Sequence, residues 1–334
     1  MHLADTLAFD KTVVSQPVWN CFNTAADAVD LPSNILLHAG PSFPEVSRIT
    51  KPILNSACVA SVYEGLARDF NQAEAMILCE EIQLRSAQDY GVVTPLAAVV
   101  SGSMPLHSVY DAWLGKKRVF APINGGSRPS LRLGLRSKAV LDHIRWLNTR
   151  FVDFLQKGLG EGISLIPLAV KGLKAGDDCH GRTHESTKAL VGELKERANL
   201  SSINANILEF LATSPSLFLN LWMAATKCMM KAAEGIVESS FVTGVGGNGF
   251  EVGIQVSGCP GKWFKTEATS PVGAFDIEIS SSRALGAIGD SAVIEGLGLG
   301  AMAIELSPFQ KKGLGKFLPL DIKSRIESLS VGRH

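Results

Sequence analysis

The sequence has no surplus of charge and no long basic run. Lysine and arginine together number 32, and aspartate and glutamate also number 32, so the formal net charge at pH 7 is zero. The longest basic run is Lys116–Arg118. Because a protein that binds nucleic-acid phosphates presents a basic face, this balance argues against a nucleic-acid partner.

Long apolar runs and paired cysteines are also missing. No stretch approaches the roughly 18 uninterrupted apolar residues of a membrane-spanning helix. The first residues lack a basic segment followed by an apolar one, so we expect no signal peptide. The six cysteines are scattered without C-x-x-C spacing, which favours reduced thiols over a disulfide framework. These features predict a cytoplasmic protein that does not enter a membrane.

What the sequence does contain predicts an α+β fold in three parts. Hydrophobic residues make up 46% of the chain, which is enough for a sizeable core. Strand and helix patterns mix in residues 1–135, helical patterns dominate residues 136–236, and strand patterns return in residues 237–334. We therefore expect two mixed α/β lobes with a helical domain between them.

Periodicity and turn residues assign the individual elements. The predicted strands are Ile35–Ala39, Pro95–Val100, Val109–Trp113, Arg118–Ala121, Val237–Thr243 and Phe250–Val256. The predicted helices are Pro52–Ala67, Gln72–Gln83, Ser137–Leu155, Ile163–Lys174, Thr183–Arg197, Asn204–Ala212, Pro215–Gly235 and a glycine-bearing segment from Gly289 to Leu306. The most apolar of these stretches, Leu217–Met230, is predicted to be a buried core helix.

The stretch Gly244–Gly249 matches the spacing G-x-G-x-x-G. A dinucleotide fingerprint needs a helix after the glycines, because the helix N-terminus holds the pyrophosphate. Here the residues that follow alternate between apolar and polar, as a strand does. The pattern therefore predicts a hairpin connection, either a bare turn or a loop whose amides, with Asn248, bind an anion. No P-loop and no G-x-S-x-G before a helix is present.

The segment Gly176–Ser186, GDDCHGRTHES, gathers acids, two histidines and an arginine. His180 and His184 are four residues apart, a spacing that can place two metal ligands on one helix face, but the H-E-x-x-H pattern is absent. Two other interpretations stay open. The acids can cap the following helix, or Arg182 can act as a bidentate donor to an anion with His180 as a second donor.

Single residues elsewhere are weaker candidates. His38 ends an apolar strand in LLHAGP, where a strand delivers side chains to a site, and a structural histidine is the alternative. Arg48 could help to hold an anion. Asn220 and Lys227 interrupt an apolar helix; a buried amide must find partners, so we interpret Asn220 as a structural contact, with a ligand contact as the alternative. Asp290 lies at the start of the glycine-bearing segment and is interpreted as a helix cap, with a base or phosphate contact as the alternatives.

Eight motifs follow one another in a fixed order: LLHAGP, YEGLA, SGSMP, GDDCHGR, FLNLWMAATK, NGFEVGIQVSG, KWF and IGDSAVIEGLGLGAMA. They run from about Ile35 to Met302, and together they resemble the AllG-like family, the oxamate carbamoyltransferase large-subunit family. The resemblance implies an α+β fold with two mixed lobes and a helical domain between them. It also implies carbamoyl transfer between carbamoyl phosphate and oxamate in purine catabolism, alongside two other subunit types.

The resemblance is incomplete in two segments. Family members carry a histidine-rich stretch where this chain has Ser86–Pro95, SAQDYGVVTP, which holds no histidine. The asparagine- and glycine-rich segment after the hairpin is also altered, at Ile123–Gly134. One alternative is therefore other C–N bond chemistry, by a lyase, cyclase or amidohydrolase in specialised metabolism. A second alternative is a non-catalytic subunit of a complex.

Carbamoyl transfer needs a neutralised phosphate, a polarised carbonyl and a positioned nucleophile. The predicted catalytic residues are His38, His180 and Asp290, and the predicted substrate-binding residues are Arg182, Asn248, Gly246, Gly247, Glu251, Asn220 and Arg48. We predict no cofactor and no metal. The expected partners are carbamoyl phosphate with a small carboxylate, possible companion subunits, and further copies of the chain in a homo-oligomer.

Overall fold

The computed structural model describes residues 2–126, 129–197, 204–271 and 284–330. The strands are β1 (Pro17–Thr24), β2 (Ile35–His38), β3 (Gln83–Ser86), β4 (Pro105–Asp111), β5 (Gly115–Pro122), β6 (Ile163–Ser164), β7 (Val242–Asn248), β8 (Glu251–Val256), β9 (Phe264–Glu267) and β10 (Ile288–Gly289). The helices are α1 (Leu3–Val13), α2 (Ala25–Val29), α3 (Lys51–Glu64), α4 (Phe70–Leu78), α5 (Lys138–Trp146), α6 (Val152–Leu159), α7 (Leu165–Lys174), α8 (His184–Arg197), α9 (Ala205–Ala212), α10 (Leu217–Ala232), α11 (Val293–Gly296), α12 (Pro308–Leu314) and α13 (Ile322–Leu329). The predicted α+β fold is confirmed.

One four-stranded antiparallel sheet has the order β5-β4-β1-β6. Helix α10 packs mainly against β5 and β4, and twelve of the sixteen residues of this helix are buried. Within the helix, the Nδ2 atom of Asn220 donates to the carbonyl oxygen of Pro122 at 3.4 Å, which ties α10 to β5. The core helix predicted at Leu217–Met230 is therefore confirmed.

A second four-stranded antiparallel sheet has the order β10-β7-β8-β9. Strands β7 and β8 form the hairpin predicted from the glycine-rich stretch, with Gly249 at φ +86° in the turn. The boundaries differ from the prediction, because β7 runs from Val242 to Asn248 and includes three of the glycines. These glycines lie against polar side chains and against the backbone of neighbouring segments. The alternation of apolar and polar residues along the sequence cannot show such contacts.

The two parallel strands β2 and β3 meet β7 at Gly40, which follows β2. Gly40 has φ +74°, a backbone conformation that favours glycine. A Cβ on Gly40 would lie 2.7 Å from the backbone nitrogen of Asn248 and 2.8 Å from the Cα of Gly247. The absence of a side chain therefore allows the end of β2 to lie directly against β7.

Three predicted elements are wrong. The predicted strand Val237–Thr243 is a turn and irregular chain as far as Phe241, with Glu238 at φ +64°, and only its last two residues belong to β7. Pro95–Val100 is not a strand but a turn, with Leu96 at φ +47° and one isolated bridge from Val100 to Leu37. The predicted helix from Gly289 to Leu306 is broken into β10, the short helix α11 and a 3-10 stretch at Gly300–Leu306. Gly298 and Gly300 have positive φ, which stops a regular helix there.

Within the described residues, no single helix is both long enough and apolar enough to cross a membrane; α9 and α10 reach that length and composition only as a pair, which is bent by 67° at its break. The division into three lobes at residues 135 and 236 stays a prediction.

The close approach of Gly40 to β7 can be tested by Gly40→Ala, with Gly65→Ala as the matched control. Both glycines have positive φ, but no described heavy atom lies within 4 Å of a Cβ on Gly65. We expect Gly65→Ala to lower the free energy of unfolding by about 1–2 kcal/mol, the cost of a left-handed alanine. Gly40→Ala should cost roughly twice as much or more, because β2 and β7 must also separate. Urea denaturation followed by circular dichroism measures both losses, and equal losses would contradict the close approach.

Candidate functional site

The buried carboxylate of Asp290 joins three segments that are distant in sequence. Its Oδ1 atom accepts hydrogen bonds from the backbone nitrogen of Gly40 at 2.9 Å and from Nε2 of Gln88 at 2.7 Å. Its Oδ2 atom accepts from the backbone nitrogen of Thr94 at 2.8 Å and from the Thr94 hydroxyl at 3.1 Å. Burial raises the pKa of Asp290 to about 6, while these donors favour the charged form.

The predicted helix-cap role of Asp290 is wrong. Helix α11 begins after Ala292, which makes no side-chain cap, and the carboxylate of Asp290 is already engaged by Gly40, Gln88 and Thr94. These partners lie in other segments, so a local pattern of cap residues cannot reveal them. In the structure, Asp290 positions the end of β2 and the turn after β3.

Gln88 is held in one orientation by this carboxylate. It lies in the 3-10 turn Ala87–Tyr90 that follows β3 and is 5% exposed. Its Nε2 atom donates to Asp290 Oδ1 and also to the carbonyl oxygen of Val245 at 2.8 Å. Because both amide hydrogens have acceptors, the carboxamide cannot flip without placing its oxygen against two other oxygens.

Lys227 brings an ammonium group to the same region from α10. It is 2% exposed, and its Nζ atom donates to the carbonyl oxygen of Thr243 at 2.7 Å and to Oε1 of Gln255 at 3.1 Å. Burial lowers the pKa of Lys227 to about 8, although Glu234 acts in the opposite direction. The amine is therefore mostly charged at neutral pH, yet it can release a proton close to that range.

Gln255 connects Lys227 to a second carboxylate, Asp89. The Nε2 atom of Gln255 donates to Oδ1 of Asp89 at 3.0 Å, and the indole N–H of Trp263 donates to the same oxygen at 2.8 Å. Burial raises the pKa of Asp89, while these two hydrogen bonds and the charge of Lys227 act to lower it. The second oxygen of the carboxylate is not used by these donors.

A polar cavity of about 520 Å³ lies between α10, β5, β8 and the turn after β3. Its lining includes Gln88, Asp89, Lys227 and Gln255. Lys227 and Lys231 both line it, one helical turn apart on α10. Two like charges at this spacing repel each other, and although Glu234 lines the same cavity, an anion bound between the two lysines would be stabilising. A concave site with convergent polar groups and shifted pKa values has the form expected of a small-molecule site.

His38 lies beside this cluster but does not line the cavity. It is fully buried and stacked on Phe43, with ring centroids 4.8 Å apart. Its Nδ1 atom donates to the carbonyl oxygen of Ala39 at 2.8 Å, and burial lowers its pKa to about 4. The imidazole is therefore neutral at pH 7.

Asn248 and the neighbouring glycines also lie near Asp290. The Nδ2 atom of Asn248 donates to the carbonyl oxygen of Pro41 at 2.8 Å, and its Oδ1 atom accepts from the two backbone nitrogens that follow Gly249. A Cβ on Gly246 would lie 2.5 Å from Oδ1 of Asp290. Gly247 pairs with Gly289 of β10. The structure thus brings Asn248, Gly246 and Gly247 together with Asp290.

His180 and Arg182 form a separate group. The Nδ1 atom of His180 lies 2.5 Å from Oε1 of Glu295; burial acts to lower the His180 pKa, but the hydrogen bond and charge of Glu295 raise it, and the net shift is upward. The Arg182 Nε atom lies 3.5 Å from Oδ1 of Asp177, and the guanidinium lies over the Phe309 ring. No hydrogen bond or ion pair between described residues joins this group to Lys227 or Asp290.

The cap interpretation of the segment Gly176–Ser186 is confirmed. The Oδ2 atom of Asp177 accepts from the backbone nitrogens of Glu185 at 3.0 Å and Ser186 at 2.9 Å, in the first turn of α8. His184 accepts at Nδ1 from Arg182 instead of facing His180. In the part of the chain that the structure describes, no three His, Cys, Asp or Glu side chains are gathered to hold a metal ion.

The remaining predicted site residues lie apart from the cavity. Arg48 pairs with Glu45 at 3.1 Å and its guanidinium lies over the Phe250 ring. Glu251 pairs with Lys265 at 2.9 Å on the β8–β9 face. Asn220 bonds to β5, as described above. Their roles in binding stay predictions.

Sequence reasoning missed Gln88 and Asp89. Both belong to Ser86–Pro95, the segment that drew attention only because it holds no histidine. Lys227 interrupts an apolar helix in the sequence, but the sequence alone does not place it in a site. The available signal is a lysine inside a helix that is predicted to be buried, because a lysine is almost never fully buried without a partner.

The fold and the cavity define an α+β protein. Its polar site is lined by residues of β5, of β8, of the turn after β3 and of the core helix α10. The family model described as oxamate carbamoyltransferase subunit AllG matches residues 82–291, well over half of the chain. The chain therefore belongs to the AllG family. Gln88, Asp89, Lys227, Gln255 and Asp290 all lie within the matched residues.

Known relatives agree with this assignment. Uncharacterized protein YahG of Escherichia coli K12 is 29% identical over 313 residues, which cover 91% of this chain, and oxamate carbamoyltransferase subunit AllG of the same organism is 31% identical over 280 residues, which cover 82%. The chain spans about two thirds of the length of these curated relatives, 66% of each. A crystal structure of a conserved Enterococcus faecalis V583 protein of unknown function superimposes with a TM-score of 0.88 at 26% identity, covering 98% of this chain and 78% of that one.

Lys227 gives protein stability a specific pH dependence. Its pKa is about 8 in the folded protein and 10.5 ordinarily, so between these values the unfolded chain binds more protons than the folded one. The contribution of Lys227 to stability therefore rises with pH across this window. We expect the melting temperature of the wild type to rise relative to Lys227→Met between about pH 8 and about pH 10. Lys231→Met, from the same helix, is the control. If the difference in melting temperature between the wild type and Lys227→Met does not change with pH, the assignment is contradicted.

Proposed function

We propose that this protein is a carbamoyltransferase-related enzyme, with its site in the polar cavity lined by Lys227. The observation that carries the proposal is the buried ammonium group of Lys227 at the cavity wall, in a chain of the AllG family. A relative that is 31% identical is named as an oxamate carbamoyltransferase subunit. We therefore propose carbamoyl phosphate as the donor and a small carboxylated amide such as oxamate as the acceptor.

Lys227 has the position and charge to polarise the donor. Its bonds to Thr243 and Gln255 use two of its three N–H groups, which leaves one for a ligand. In a buried site, a cation near the carbonyl oxygen stabilises the negative charge that develops there during attack. Lys231, one turn further along α10, would face the phosphate that leaves.

Asp89 has the features of the group that accepts a proton. One of its oxygens is fixed by Gln255 and Trp263, so the carboxylate is oriented while its other oxygen stays available. In the proposed reaction, the acceptor nitrogen attacks the carbamoyl carbon and a C–N bond forms. The bond from carbon to the phosphate oxygen breaks, the phosphate leaves, and the nitrogen passes its proton to Asp89.

The relative's name as a subunit favours a further proposal, that this chain acts with companion subunits. In that case the chain alone would bind the donor and release phosphate slowly, and companion subunits would accelerate turnover. A purely non-catalytic role remains the second candidate. It differs in one measurable way, because a non-catalytic chain would not bind carbamoyl phosphate at this cavity.

Donor binding and turnover separate the two proposed roles. We expect carbamoyl phosphate to raise the melting temperature of the wild type, and Lys227→Met to weaken this binding by roughly 30- to 100-fold, the worth of a charge-assisted hydrogen bond. Asp89→Asn should keep donor affinity within about threefold but slow phosphate release with oxamate by about a hundredfold or more. Isothermal titration calorimetry and a phosphate-release assay measure these effects.

Lys171→Met, an exposed lysine on α7, is the matched control and should leave both quantities unchanged. The proposal fails if carbamoyl phosphate at millimolar concentration leaves the wild type unaffected. It also fails if Lys227→Met binds the donor as tightly as the control.

A further inference from the structure

The carboxamide of Gln88 leaves one polar atom without a partner. Its two hydrogens are used by Val245 and Asp290, which fixes the direction of Oε1. Among the contacts of the described residues, this buried oxygen has no hydrogen-bond donor. A buried acceptor without a donor is unfavourable, and such groups are rare unless a ligand or water completes them.

The unpartnered oxygen lies beside the ammonium group of Lys227. Oε1 of Gln88 and Nζ of Lys227 each lie 2.8 Å from the position that a Cβ on Gly244 would take. The two atoms are therefore no further apart than twice that distance. Since Gly244 has no side chain, both atoms can meet a ligand at the wall of the same cavity.

An acceptor next to a cationic donor matches a group that carries an N–H donor beside a carbonyl acceptor. A primary amide, or the carbamoyl group of a carbamoyl ester, carries an N–H donor and a carbonyl acceptor on the same carbon atom. We propose that Gln88 is the specificity residue of the site and accepts a hydrogen bond from the NH₂ of the carbamoyl group, while Lys227 donates to the carbonyl oxygen. This inference rests on the proposed function and adds the reason why an acyl group without nitrogen is rejected.

Asp290 acts in this arrangement as a positioning residue. It touches Gln88 and not the cavity, and its Oδ1 atom selects the orientation in which Gln88 presents oxygen and not nitrogen to the ligand. With the amide reversed, the site would present a donor and would favour a carbonyl or carboxylate oxygen at the same place.

A pair of stable phosphonates tests the inference. Phosphonoacetamide and acetonylphosphonate have the same shape, but one carries NH₂ where the other carries CH₃. We expect the wild type to bind phosphonoacetamide about tenfold more tightly by isothermal titration calorimetry, since one hydrogen bond separates the two probes. In Gln88→Met the ratio should fall to about one, and in the control Gln83→Met, from β3, it should stay at the wild-type value.

The outcomes separate this inference from the proposed function. If inorganic phosphate and both phosphonates bind the wild type with equal affinity, the inference is overturned and the anion site stands. A Gln88→Met variant that still prefers the amide also overturns it. If none of the three probes binds the wild type, both proposals are overturned. The wild-type ratio alone decides the question should Gln88→Met fail to fold, which circular dichroism would show.

Discussion

The arrangement of the site depends on the buried carboxylate of Asp290. It receives hydrogen bonds from residues 250, 202 and 196 positions away, at Gly40, Gln88 and Thr94. Removing a carboxylate from water costs several kcal/mol, and here fixed donors replace the lost water. The end of β2, the turn after β3 and the strand β10 are thereby held at one point. Without this anchor, Gln88 would keep only the carbonyl oxygen of Val245 to fix its orientation towards Lys227.

The glycines of β7 are the second requirement, because they leave room for the polar cluster. A Cβ on Gly246 would collide with the Asp290 carboxylate, and one on Gly244 would lie 2.8 Å from both Lys227 Nζ and Gln88 Oε1. Glycine inside a strand costs roughly 0.5–1 kcal/mol relative to alanine. That cost is explained by the close approach of charged and amide groups. The G-x-G-x-x-G spacing thus reflects packing around a polar site and not a dinucleotide turn.

Sequence patterns predicted what depends on neighbours along the chain. The core helix α10, the β7–β8 hairpin and the Asp177 cap follow from periodicity and local cap chemistry, and all three are confirmed. The roles of Gln88, Asp89 and Asp290 could not be predicted in this way, because their partners are more than 150 positions away. The segment from Gly289 to Leu306 fails as a helix because Gly298 and Gly300 have positive φ. Its apolar residues recur at helical spacing, but the segment forms β10 and the short helix α11 instead, and both contact other parts of the fold.

The spacing of charge in the cavity depends on Gln255. Its carboxamide accepts from Lys227 at 3.1 Å and donates to Asp89 at 3.0 Å, so a neutral amide lies between a cation and an anion. A direct ion pair would lower the Asp89 pKa, raise that of Lys227 and occupy both groups with each other. With the amide as a spacer, burial shifts the two pKa values towards neutrality, and each group keeps hydrogen-bonding capacity for a ligand. The proposed reaction, in which the site holds an anion and also accepts a proton, requires this separation, and Gln255 provides it.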